Sequence, residues 1–271
     1  AQLTLTRGHW SVQPGLRVSW SEAWGESVTP RVAALYRPAP RLALRASLGR
    51  GFRAPDFKEL YIDFVHAAAG YAVRGNPELR PESSVNGSAG VEWAGSSVYA
   101  RATVFHNRFS DFIETRETES PGTFSYGNVA SGRTQGIELD AGLVAGRARL
   151  EGGYAYLRSR DDATGRSLLG PAPHSARLAA GYQIASGLRA KLTGLFTGAA
   201  PTRRDASGAV TSERDDFLRF DLNVQQQLPR ALALTFGVDN LLDEEPGADW
   251  PGFAGRMIYV GLTWQSSSAL Q

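Results

Sequence analysis

RLALRASLGRGFRAP, residues 41–55, is the stretch whose reading decides the fold. Leu42, Leu44, Ala46 and Leu48 fall on every second position, and Arg45, Ser47 and Gly49 fill the other parity. A period of two belongs to a strand, because successive side chains leave an extended backbone on opposite faces. One apolar face and one charged or small face fit a half-buried soluble sheet. They fit equally a barrel wall with lipid outside and water inside.

The same alternation recurs along the chain. Residues 10–20 and 30–36 flank the opening stretch on its N-terminal side, after a strand fragment at 2–6 that turns at Arg7-Gly8-His9. Residues 85–93 and 98–109 follow, with Val98, Ala100, Ala102 and Val104 on one parity, which His106 joins near an interface. Residues 126–144 read as one long strand, with Ile137, Leu139, Ala141 and Leu143 opposite Glu138, Asp140 and Gly142. Further strands are expected at 148–158, 176–184, 188–199, 218–225, 232–238 and 258–264. Tight turns are expected at 37–40, 94–96, 145–147, 185–187 and 228–230. Long loops are expected at 21–28, 56–80, 159–173, 200–216 and 241–255, so that short and long connections alternate. An up-and-down membrane barrel sorts its connections in this way, short turns on the periplasmic side and long loops outside. The expectation is an all-β, antiparallel, transmembrane β-barrel with about 12–14 strands present, each long enough to cross the hydrocarbon at a tilt. With the turns on the periplasmic side, Trp264 ends at the inner interface.

Composition is compatible with this. The chain has 271 residues, long for one ordinary domain but ordinary for a single barrel. Hydrophobic residues make up 42% and no run of about eighteen apolar residues occurs, which a barrel permits because lumen-facing residues dilute lipid-facing ones. There is no cysteine, which removes disulfide frameworks and thiolate metal sites. The 29 basic and 27 acidic residues nearly cancel, so a nucleic-acid partner is not expected.

Three ordered motifs carry a family resemblance. Gly51-Phe52-Arg53-Ala54-Pro55, then Lys58-Glu59-Leu60-Tyr61, then Gly75-Asn76-Pro77-Glu78-Leu79-Arg80-Pro81-Glu82 before a strand form the first. The second is Tyr126-Gly127-Asn128-Val129-Ala130 followed by Arg133-Thr134-Gln135-Gly136-Ile137-Glu138, and the third is Val238-Asp239-Asn240-Leu241-Leu242-Asp243. Together they resemble the C-terminal barrel of TonB-dependent outer-membrane receptors. The resemblance implies a C-terminal part of a barrel of about 22 strands in a Gram-negative outer membrane. It implies uptake of a scarce small-molecule ligand such as an iron-siderophore or cobalamin. It also implies energy supplied by the TonB-ExbB-ExbD system through a plug and TonB box lying N-terminal to this chain. Residues 1–264 are read as barrel and 265–271 as a polar tail. The alternative is a self-contained smaller barrel acting as a passive pore.

Candidate sites follow from the loops. Residues 56–80 hold Phe57, Tyr61, Phe64, His66 and Tyr71, aromatic groups able to grip a siderophore or corrin-like ligand by area and stacking, or to pack the loop. Gly49-Arg50-Gly51-Phe52-Arg53-Ala54 matches a dinucleotide fingerprint, but alternating strands rather than a βαβ unit follow it. Glu138 and Asp140 share a face, as acid/base work would require; a lumen wall with Arg133, Arg149, Arg177, Arg189, Lys191 and Arg219 pairing across strands explains them better. Asp161, Asp162, Asp243, Glu244 and Glu245 are oxygen-rich but lack EF-hand spacing. No nucleophile or metal motif is present, so catalysis, cofactor and bound metal are not expected.

Overall fold

A computed structural model of the chain describes residues 2–22, 24–128, 131–204, 208–229, 231–245 and 255–264. The elements in chain order begin with β1 (Leu5–Arg7), β2 (Trp10–Ser21), β3 (Gly25–Ala39), β4 (Leu42–Arg53), helix α1 (Phe57–Tyr61), β5 (Asp63–His66) and β6 (Tyr71–Arg74). They continue with β7 (Glu82–Ala94), β8 (Val98–Ser110), β9 (Ile113–Glu117), β10 (Thr123–Asn128), β11 (Gly132–Ala145), β12 (Ala148–Asp161) and β13 (His174–Ala185). The series ends with β14 (Leu188–Thr197), β15 (Ala200–Arg204), β16 (Val210–Arg214), β17 (Phe217–Leu228), β18 (Leu232–Asp239) and β19 (Met257–Trp264). Thirteen strands form one sheet in the order β1-β2-β3-β4-β7-β8-β11-β12-β13-β14-β17-β18-β19. Each pairs with its successor in that sheet, so an up-and-down topology needs no crossover.

The sheet's short turns fall at residues 8–9, 40–41, 95–97, 146–147, 186–187 and 229–231, and longer connections at 54–81, 111–131, 162–173, 198–216 and 240–256. One expected loop is a tight connection instead. Residues 21–28 hold only a three-residue link between β2 and β3, because Val18 pairs with Val28 and Trp20 with Glu26. The turn expected at 37–40 sits at 40–41, after a register shift that pairs Ala39 with Leu42. The single strand expected over 126–144 is two: residues 123–128 belong to a separate sheet and the wall strand starts at Gly132. Two expected loops carry structure of their own, α1 with β5 and β6 in one and the β15/β16 hairpin in the other. Residues 129–130, Arg230, Pro246 and the tail 265–271 lie outside the described residues.

Two compact units divide the chain: Ala1–Val91 with Val104–Gly136 and Arg158–Ser167, and Glu92–Thr103 with Ile137–Leu157 and Leu168–Gln271. In the first, the wall strands bury little and a hydrophobic core cluster lies in the connections, where Leu60, Leu79 and Ile113 meet with Trp24 and Tyr126 packed against them. In the second, strand register lines up an apolar row, Leu150–Ala180–Leu192–Leu222–Val238–Ile258, across six neighbouring strands. The opposite parity runs Arg149–Gly181–Lys191–Asn223–Gly237–Tyr259. Leu150, Leu178, Leu192, Ile258, Val260 and Leu262 all stay at least 40% exposed. Apolar surface on that scale is not left in water by a soluble monomer, whereas acyl chains cover it without a second protein layer.

Candidate functional site

The site begins at Arg53, the last residue of β4. Its guanidinium donates to both carboxylate oxygens of Glu59 at 3.0 Å and, through its other terminal nitrogen, to Glu82 at 2.5 Å. Asp56 caps α1 by accepting from the Glu59 N–H at 2.8 Å, while the Glu59 carboxylate accepts from the Asp56 N–H at 2.8 Å. That reciprocal capping box supplies a five-residue helix with the nucleus it lacks on its own. Glu82 Oε1 also accepts from the Ile113 N–H at 2.9 Å, which ties the second long connection to the first. Arg53 and Glu82 lie at the loop-side ends of β4 and β7, beyond the ten or so residues a strand needs to cross the hydrocarbon. Burial pushes the Glu82 carboxyl up, but the Arg53 hydrogen bond, the Ile113 N–H and the Arg53 charge outweigh it and hold the group below its ordinary value.

The motif residues build the rest of this frame. The Gly75 N–H donates to Ile62 at 2.6 Å and the Asn76 N–H to Glu59 at 2.9 Å, which pins the chain against the end of α1. Asn76 Nδ2 donates to the Tyr126 carbonyl at 2.9 Å. Asn128 Oδ1 accepts from the Arg80 N–H at 2.7 Å, and its Nδ2 donates to the carbonyls of Arg80 and Asp111. The connections 54–81 and 111–131 then share a four-stranded sheet, β5-β6-β10-β9, in which β10 pairs parallel with β6 and antiparallel with β9. In the second unit Asn240 does the same work: it is 1% exposed, donates from its N–H to Asp221 at 2.9 Å, and exchanges two hydrogen bonds with Glu244.

The five aromatic candidates form two groups. Phe57 and Tyr61, one helical turn apart on α1, have ring centroids 6.1 Å apart and are 84% and 62% exposed. Phe64 and His66 share a face of β5, and His66 stacks on Tyr71 of β6 at 5.4 Å with Phe64 beside both. Beside the frame, at the loop-side ends of β2, β3 and β4, a cleft of about 600 Å³ is lined by Arg17, Ser19, Trp24, Ser27, Thr29 and Arg53. Trp24 faces this cleft and also packs on the Leu60/Leu79/Ile113 cluster. Neither the cleft nor the β9/β10 hairpin follows from the alternation; Ser120-Pro121-Gly122 was the turn signal for that hairpin.

Other candidates resolve into structural roles. The fingerprint stretch at Gly49 leads into a five-residue helix and then an antiparallel hairpin, not a βαβ unit. Glu138 and Asp140 do share a strand face, lining a shallow depression with Arg177. The expected cross-strand pairing of arginines is mainly within strands: Arg149 bonds Glu151 and Arg219 bonds Asp221, each two residues on. Asp161 accepts from the N–H groups of Ala163 and Thr164, Asp162 lies 3.5 Å from Arg133, and Asp243 lies 3.8 Å from Arg256. Among the described residues no three His, Asp or Glu side chains are placed to hold a metal ion.

Residues 1–241 match the family model described as TonB dependent receptor-like, beta-barrel. The chain belongs to that family. The receptor barrel is thus an outer-membrane β-barrel, of a family of transporters rather than enzymes. It is 26% identical to the iron-regulated outer membrane virulence protein of Vibrio cholerae serotype O1, with 92% of this chain and 41% of that protein aligned. It is 24% identical to the vitamin B12 transporter BtuB of Photobacterium profundum, over 87% of this chain and 37% of that one. The receptor barrel therefore spans about two fifths of the length of these curated relatives. Among solved structures, a variant of the ferric enterobactin receptor PfeA from Pseudomonas aeruginosa superposes with a TM-score of 0.77 at 20% identity, over 94% of this chain and 42% of that one. That likeness carries the fold.

Proposed function

We infer that the chain is the C-terminal barrel portion of a TonB-dependent transporter that takes up an iron-siderophore, cobalamin or a similarly scarce ligand. Its long connections capture the ligand outside the membrane, and its polar face forms part of the wall of the path inward. The observation that carries the reading is the loop frame: Arg53, Asn76 and Asn128 hold two long connections rigid beside a cleft of ligand-binding size. Loops held on a strand wall are where binding chemistry sits on such a scaffold. Phe57 and Tyr61 present nearly bare rings for stacking, and Phe64, His66 and Tyr71 offer a second aromatic surface. Energy for release inward comes from the TonB-ExbB-ExbD system acting on a part of the receptor N-terminal to this chain.

The test uses the full-length receptor in its own cells. Deleting its gene lowers uptake of one labelled ligand from a panel of ferric siderophores and cobalamin, and the wild-type gene restores it only where TonB is present. A Phe57→Ala/Tyr61→Ala receptor restores it with a weaker apparent affinity. Uptake that persists without TonB, together with a stable open channel from the purified receptor in a planar bilayer, would replace this reading with the passive pore.

A further inference from the structure

Within the first unit the wall parts at one proline. In β2 the Pro14 carbonyl accepts from the Leu3 N–H, so the even residues of that strand turn their backbone groups away from β3; the Arg37 N–H of β3 donates to the His9 carbonyl. By that alternation the odd residues of β3 bond β2, and the even ones, Pro30 among them, face β4. The β3–β4 register runs as far as Arg31 with Gly49, and the next reciprocal pair would be Pro30 with Arg50. Pro30 has no N–H to donate, and the ladder stops there. Residues 25–29 stay paired with β2, and among the described residues no ladder bond joins them to residues 50–53 of β4.

A closed ladder keeps the two faces of a wall apart, and here they share a cavity. The cleft of about 600 Å³ is lined from the polar parity by Arg17, Ser19, Ser27 and Thr29, and from the apolar parity by Trp20 and Phe52. Trp20 is 72% exposed and Phe52 38%. Among the described residues the lining carries three arginines and no carboxylate. Arg53 is bonded to Glu59 and Glu82, while Arg17, steadied by its Nε bond to Ser19 at 3.2 Å, and Arg50 stand on opposite parities of the slot. Backbone without a ladder partner is not left to acyl chains alone, which puts the slot where the wall meets water, at the long-connection end. Its occupant must therefore be anionic at one end and apolar at the other. We propose that the gap between β3 and β4 binds a single-chain amphiphile, with a carboxylate head near Arg17 and Arg50 and an acyl tail along Trp20 and Phe52 toward the bilayer. An acylated cargo is one such ligand, and for that role alone the slot rests on the uptake reading.

The test is photolabelling of the full-length receptor in lipid vesicles with dodecanoate carrying a diazirine near its tail end, followed by peptide mapping of the adducts. Adducts concentrate in residues 17–29 and 50–54, and unlabelled dodecanoate removes them whereas butyrate and dodecanol do not. Trp20→Ala/Phe52→Ala lowers labelling of these segments about tenfold or more, and Pro30→Val, which restores the missing donor and lets the ladder close, does the same. Should either variant lose the heat-modifiable gel mobility of a folded barrel, Trp20→Ala alone, at an exposed ring, takes its place. Labelling is read at equilibrium without TonB, so its failure and a failure of uptake are told apart. Adducts spread evenly over the apolar parity, competition by dodecanol equal to that by dodecanoate, or wild-type labelling of the folded variants overturns the proposal.

Discussion

Gly75 has no room for a side chain. A Cβ there would lie 2.5 Å from the backbone of Leu60 and Tyr61, so the signature turn lets the chain lie directly on the end of α1. Gly75→Ala is expected to cost about 1–3 kcal/mol locally, by overpacking. Limited proteolysis should then cut within residues 54–81 faster, while heat-modifiable mobility of the wall is retained. Arg53 is the second such residue. Glu59 and Glu82 keep only 13% and 14% of their side-chain surface, so removing Arg53 strands two acids in a half-buried setting. Arg53→Ala is expected to loosen the frame by about 1–3 kcal/mol, read as lost amide protection over α1. The pH dependence has a definite sign. A carboxyl whose pKa is depressed on folding contributes stability above its unfolded value and loses it as pH falls through the folded one. Protection of α1, corrected for intrinsic exchange, should therefore hold at neutral pH and fall only below the ordinary glutamate range. Arg53→Ala should abolish that acid transition. The motif was legible in the sequence as Gly51–Pro55 and Lys58–Tyr61, but the pairing of Arg53 with Glu82 was not, since nothing in sequence spacing marks a contact across 29 residues.

The two long connections behave as one element. Asn128 reaches back to Arg80 with two hydrogen bonds and to Asp111 with a third, and β10 adds to β6 as a parallel neighbour. Asn128→Ala is expected to expose both connections together, so that exchange at β5, β6, β9 and β10 rises in concert rather than in the 111–131 segment alone. Protection that drops only in β9 and β10 would separate them. The alternation that reads the wall strands correctly misreads this region for a physical reason. Residues 126–128 continue the periodicity of 132–144, and period two does not say which sheet a strand joins. Elsewhere in the wall, aromatic rings cover glycines across strands: Tyr99 over Gly142 and Tyr259 over Gly237. A cross-strand ring over a bare backbone stabilises a sheet by roughly 0.2–1 kcal/mol, and a Cβ on either glycine would overlap the ring.

At the scale of the whole sheet, the two parities demand different surroundings. Leu192, 40% exposed, sits in the middle of an apolar row, and Thr193 beside it points to the polar face. Leu192→Arg in the full-length receptor is expected to cost about 2–4 kcal/mol of folding into lipid vesicles, as a charge on the acyl side does at mid-depth. Thr193→Arg should fold nearly as wild type. Equal yields from the two substitutions would mean that the apolar row does not meet lipid. The sorting of short and long connections, already readable from glycine-bearing turns, follows from the same two-sided demand, with the β2/β3 link as its exception.

The sequence by itself determined that the chain is an antiparallel wall with one apolar and one polar face, because parity and turn spacing are local properties of an extended backbone. It also carried the family, through motifs whose order survives at low identity. Only the tertiary structure decided that Arg53, Asn76 and Asn128 brace the long connections and that two loops share one small sheet. Each of these is a meeting of residues far apart in the chain, and what brings them together is strand pairing and packing, which no single segment encodes.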